Sequence, residues 1–173
     1  MNEAVTKRFL LYFRIMLLIW ILIVNAFMHI IDFDYGWLIY ISNIMLFTLE
    51  GDIKDRFITV ELGGLVGLIL TVLALLAITA LTPVVGSLMG LMIPLTVVLF
   101  ILIILHPYAP KVLNNVGFAY LTVACIDAQT FAANLPLFFA VFIGGSLIFN
   151  GVSVLLLKPA KALAVKSLEK SNG

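Results

Sequence analysis

Long apolar runs separated by short polar turns constrain this chain more than any other feature. A helix needs roughly 20 apolar residues to cross a bilayer, and the runs at 9–30, 57–81, 86–105 and 135–157 meet that length. Two shorter segments lie between them, 36–49 and 111–129, the first bounded by Asp32 and Asp34 before it and Glu50 after it. Proline and glycine mark the joints, at Pro83 and Gly86, at Pro107 and Pro110, and at Pro136. Residues are 64% hydrophobic and 11% charged, against about 25% charged in a soluble domain. The pattern predicts one all-α transmembrane domain, a polytopic bundle of six helices over those segments. No polar stretch is long enough to form a separate soluble domain. Lys7 and Arg8 precede the first apolar run as they would in a signal peptide. That run outlasts a signal core and no small-x-small cleavage site follows it, so it predicts a retained first helix.

Charge sets the expected topology. If all six segments cross, the ten Lys and Arg residues all fall on one side: Lys7, Arg8, Arg14, Lys54, Arg56, Lys111, Lys158, Lys161, Lys166 and Lys170. The opposite loops, 31–35, 82–85 and 130–134, carry none. By the positive-inside rule both termini are cytoplasmic, and the expected location is a bacterial cytoplasmic (inner) membrane. Segment 36–49 is the test of this reading, since as a helix it rises only about 21 Å against a core of about 30 Å. A re-entrant segment there would put Lys54 and Arg56 on the face opposite Lys7 and Arg8. The basic tail 158–173 reads first as a solvated, fraying end that sets topology. The alternative is a helix on the anionic inner leaflet, where each Lys contributes about 1 kcal/mol. A net charge of +1 gives no reason to expect nucleic acid.

The stretch from Glu50 to Gly67, EGDIKDRFITVELGGLVG, is the pivot of the chain. Charged residues crowd its start, then glycines open a long apolar run, as in a membrane-surface turn feeding a tightly packed helix. Gly63 and Gly67, and Gly86 and Gly90, are small-xxx-small pairs, and Gly144, Gly145 and Ser146 add a third small patch. These predict close helix packing, including contacts between copies in a homo-oligomer.

Ionisable groups inside membrane spans are functional candidates by default. Glu61 falls about one turn inside the third helix and shares a face with Gly64 and Thr71. In the fifth helix Gly117, Tyr120, Ala124 and Asp127 recur at helical spacing, with Asn114, Asn115 and Thr122 on neighbouring faces. The predicted solute path is therefore Glu61, Thr71, Asn114, Tyr120 and Asp127, with the Asp127 carboxyl pushed up by desolvation. The alternatives are an interfacial Glu61 paired with Arg56 or Lys54, and an exposed or helix-capping Asp127. His29 and His106 fall at opposite ends of their helices and Cys125 is the lone cysteine, so neither a metal nor another cofactor is expected. No nucleophile has a base in its pattern, and no enzyme is expected.

The pivot resembles the membrane half of the fusaric-acid-resistance and aromatic-acid-exporter proteins, and is similar to a family of small bacterial inner-membrane proteins of this length. In the first group a short second helix ends in a charged cytoplasmic turn. A basic residue and a Gly-Thr-x-x-Gly motif then open the next helix. Here the motif reads Gly63-Gly64-Leu65-Val66-Gly67, with Gly64 in place of the Thr and Val60 where the basic residue is expected. Hydropathy, helix order and the Pro-rich turn after the fourth helix extend the likeness over about residues 10–157. The resemblance implies efflux of small organic acids, with two such halves joined or dimerised. The expected function is a small-solute channel or transporter module in the lipid bilayer. The alternative is a non-transporting accessory or scaffold subunit of a membrane complex.

Overall fold

A computed structural model describes residues 3–172, and their side chains as far as Glu169. Met1, Asn2, Gly173 and the side chain of Lys170 lie outside the described residues. The described residues form helices and turns without a strand. Four helices are long and apolar enough to cross a membrane: Glu3–Ile30, Ile53–Val85, Ser87–Ile104 and Leu135–Glu169. The chain divides into two compact units, residues 38–147 and the two ends, 1–37 with 148–173.

The terminal unit is an antiparallel helix pair. Helix α1 (Glu3–Ile30) has 6% of its most apolar window buried, and Leu11, Leu18, Leu22 and Phe27 stand exposed. Apolar side chains in that density on a free surface call for lipid as their solvent. The closing helix of the chain, Leu157–Asn172, packs along α1, with Ala160 and Ala164 fully buried one turn apart. The Arg8 guanidinium donates to the Ser167 carbonyl (2.6 Å) and hydroxyl (3.0 Å). The Trp20 indole stacks on Phe149 at 5.7 Å and donates to its carbonyl at 3.3 Å. The tail is thus a docked helix rather than the fraying end expected. Small Ala side chains bring the two backbones close, and Arg8 fixes the register.

In the central unit α3 (Ile53–Val85) is the helix on which most other elements pack. Asp52 caps its start by accepting from the Lys54 amide at 3.1 Å. The helix therefore runs through the charged turn rather than beginning at 57, because a membrane boundary and a helix boundary need not coincide. Gly86, at φ 83°, turns the chain into α4 (Ser87–Ile104), a conformation that glycine adopts without strain. Before α3 lies α2 (Trp37–Thr48); the carbonyls of Leu46 near its end and of Leu49 just beyond it accept from Arg56 at 3.3 and 3.2 Å. After α4 comes a single 3-10 turn, His106–Tyr108, and then α5 (Asn115–Ile126).

The segment expected as one helix over 111–129 is shorter because Asn114 caps its start and Asp127 ends it at φ −128°, ψ 68°. Helix α6 (Ala128–Ala133) follows at once. The segment expected as one helix over 135–157 is also interrupted. Helix α7 (Leu135–Ala140) runs into one turn of π-helix, Val141–Ser146, before α8 (Leu147–Leu155). The final helix is α9 (Leu157–Asn172). Leu70, Ala74, Val98, Leu102 and Leu121 form the apolar core where α3, α4 and α5 meet.

Candidate functional site

Four elements bring polar side chains together inside the central unit. From the π-turn, the buried Ser146 hydroxyl lies 2.6 Å from Glu61 Oε2 on α3, and the same oxygen is hydrogen-bonded to the carbonyl of Phe142. From α5, the fully buried Tyr120 donates its hydroxyl to the Leu38 carbonyl. That hydroxyl is also within hydrogen-bonding reach of Ser42 on α2 and in electrostatic range of Glu61. Ser42 and Asn43 are both buried, with the Ser42 hydroxyl donating to Ile39 at 2.8 Å. The rings of Tyr120 and Phe142 meet edge to face at 4.8 Å. Gly64 makes this possible, because a methyl group there would strike Phe142 at 2.5 Å and Tyr120 at 2.9 Å. A carboxyl, a phenol and two serine hydroxyls in one packed region can hold a proton or coordinate a small polar solute.

The structure unites two of the five residues expected along a path and separates the others. Glu61 and Tyr120 share this cluster. Thr71 is buried, but its hydroxyl turns back onto the Gly67 carbonyl at 2.8 Å. Asn114 caps α5, accepting from Val116 and Gly117 at 2.9 and 3.3 Å while its amide donates to Pro110 and Thr59 at 3.1 and 3.3 Å. Asp127 leaves the Gly117–Tyr120–Ala124 stripe because the helix ends before it. It is exposed and accepts from the Thr130 amide at 3.1 Å. The hydrogen bonds from Thr130 hold its carboxyl below the ordinary aspartate range, the reverse of the expected rise, since a bond to the charged form outweighs slight desolvation. Glu61 bonds Ser146, and Arg56 is engaged by the α2 carbonyls.

The glycine faces are consumed within the chain. Gly67 abuts the Gly117 backbone, Gly63 abuts the Asn114 side chain, and Gly90 abuts Thr82 across the α3–α4 hairpin. Gly145 sits under Ile39, while an added methyl at Gly86 or Gly144 would meet nothing within 4 Å. A cleft of about 280 Å³ between α3 and α4 is lined by apolar side chains such as Leu73, Ala77, Pro94 and Val97, and none of the expected path residues reaches it. Ser146, Ser42 and Phe142 belong to the cluster but were not expected there. The Gly144-Gly145-Ser146 patch is the signal that pointed nearest to them.

At the surface, Lys111 pairs with Asp55 at 2.7 Å and holds its carboxyl below the ordinary range. This fixes the starts of α3 and α5 at one end of the unit. No known protein family, curated protein or solved structure matches the chain.

Proposed function

We propose that this protein is a small-solute channel or transporter module of a bacterial inner membrane, with the solute passing the Glu61–Ser146 cluster. One observation carries the reading: a carboxyl on an apolar, membrane-length helix is turned inward onto a hydroxyl of a π-turn. Carboxyls within spans mark ion and substrate pathways, and π-turns recur at functional sites because the extra residue re-aims side chains. Six crossings with both termini cytoplasmic accompany this reading. The distribution of Lys and Arg supports them. Small organic acids are the solute class that the resemblance at Gly63–Gly67 suggests, and a homo-oligomer is the assembly it suggests.

The test is uptake of radiolabelled 4-hydroxybenzoate into proteoliposomes, against protein-free vesicles, for wild type, Glu61→Gln and Ser146→Ala. Uptake by wild type, lost in Glu61→Gln with folding intact, supports the reading. The surface position of Asp127 favours the second reading, an accessory or scaffold subunit. Uptake equal to that of empty vesicles across a panel of small acids would put that reading first.

A further inference from the structure

We infer that Glu61 is a proton-binding site, and that its proton is shared with Ser146 so that gaining or losing it resets the π-turn. The argument is a count of hydrogens. A serine hydroxyl has one proton to donate and two lone pairs. Two oxygens lie on the Ser146 hydroxyl, Glu61 Oε2 at 2.6 Å and the carbonyl of Phe142. With Glu61 ionised both are acceptors, and one hydroxyl proton cannot serve them both well. With Glu61 protonated the chain closes: Glu61 donates to Ser146 Oγ, and Ser146 donates to Phe142. The two contacts on the Ser146 hydroxyl fit the acid form.

Loss of the proton forces a choice. Ser146 must turn its hydroxyl to the new carboxylate and release the Phe142 carbonyl, in a helical turn whose own bonding already departs from the α pattern. Phe142 is the ring that rests on Gly64 and Tyr120. A proton on Glu61 is therefore connected through one hydroxyl and one carbonyl to the packing of α3 against α5.

The surroundings supply few other ionisable groups. Of the elements packed on α3, α4, α6 and the π-turn contain no titratable side chain, nor does α7 beside the π-turn, and α5 contributes Tyr120 and Cys125. On α2 the only titratable group is Tyr40. On α3 itself Lys54 and Asp55 are exposed in the first turn, and Arg56 is held by the carbonyls of Leu46 and Leu49. Tyr120 faces Glu61 with its proton donated to Leu38.

The inference deepens the transport reading by naming a proton as the coupling ion, and it rests on that reading only for this last step. Its test needs no flux. Dicyclohexylcarbodiimide reacts with a protonated carboxyl: the acid proton moves to one nitrogen and the carboxyl oxygen bonds the central carbon. The acyl group then migrates to nitrogen, leaving a stable N-acylurea with no leaving group. The expected result is mass-spectrometric modification of the Glu61 peptide in the intact, reconstituted protein. It should fall as pH rises and vanish in Glu61→Gln. A second measurement covers a reagent that fails to enter. The infrared carbonyl stretch of a protonated acid should be present in wild type at about pH 6 and absent from Glu61→Gln. Ser146→Ala should shift that band, because its hydrogen-bond acceptor is gone. A wild type with neither the modification nor the band would overturn the proposal. Both signals in a protein that moves no solute would keep the proton site and reject the transport reading.

Discussion

Gly67 on α3 and Gly117 on α5 meet backbone to backbone, so that a methyl group built on Gly67 would fall on the carbonyl oxygen, Cα and carbonyl carbon of Gly117. Neither helix can give way locally, since what stands opposite is main chain rather than the end of a flexible side chain. Four residues earlier, Gly63 lies against the Asn114 side chain at the α5 cap. The two helices therefore run parallel and touch at successive turns. In lipid, which is as apolar as the helices, this close van der Waals contact is what holds them together.

Gly67→Ala should thus destabilise the single subunit, by about 1–3 kcal/mol as an overpacked core does. Thermal unfolding in mild detergent would show it as a lowered midpoint, with Gly144→Ala unchanged because nothing lies within 4 Å of its added methyl. A Gly67→Ala protein that melts with wild type, yet changes its oligomeric state, would return this face to subunit contact.

Asn114 joins three segments at once, through Val116 and Gly117 on α5, Pro110 before it and Thr59 on α3. Asn114→Ala removes the cap, which costs about 0.5–2 kcal/mol, and also leaves buried partners short of a bond. Asn114→Asp keeps the two accepting bonds and loses the two donated ones. The expected order of unfolding midpoints is wild type, then Asp, then Ala.

Much of this was legible in the sequence, and the failures have physical causes. The apolar runs announced α1, α3 and α4 because bilayer length is a property of one segment. Gly63 and Gly67 announced a packing face for the same reason. Their partner was hidden, because spacing along one helix says nothing of which helix lies opposite. Asp127 was misplaced because its spacing from Tyr120 and Ala124 assumes an unbroken helix. A short polar side chain that bonds a nearby amide, as Asp127 does with Thr130, competes with that helix and ends it. Asn114 looked like a polar lining residue when its type suits a cap equally well. Ser146 was seen as small rather than as a hydroxyl facing Glu61, since a π-turn shifts the face on which later residues fall.

The Asp55–Lys111 pair gives a pH prediction. Lys111 lowers the Asp55 carboxyl in the folded protein, so the stability it contributes is fully present above the ordinary aspartate value of about 3.9. That stability is lost as pH falls through the lower folded value. Asp55→Asn should therefore differ from wild type by a constant, small amount across neutral pH, because both side chains are exposed. The difference should shrink only in acid. Asp127 has the same sign, and Asp127→Asn should be nearly silent at neutral pH, because Asn caps helices about as well as Asp. Denaturant titrations at several pH values would check both, and a difference growing in acid would contradict the sign.

Topology can be decided at two positions. Helix α2 has 12 residues, about 18 Å, which is short for a core of about 30 Å. If α2 nevertheless crosses, the start of α3 lies in the cytoplasm with Lys7 and Arg8. If it does not, Lys54 and Arg56 face outward, and Lys111 follows them because it pairs with Asp55. The first arrangement keeps every described Lys and Arg inside. The native thiol must first be removed, since Cys125 is exposed, so both variants carry Cys125→Ala. In intact cells an impermeant maleimide should leave Lys54→Cys unlabelled and label Asp127→Cys, which lies at the far end of α5. Lysed cells should label both. Outside labelling of both Lys54→Cys and Asp127→Cys would mean that neither α2 nor α5 crosses, and would reduce the bundle to its four long helices.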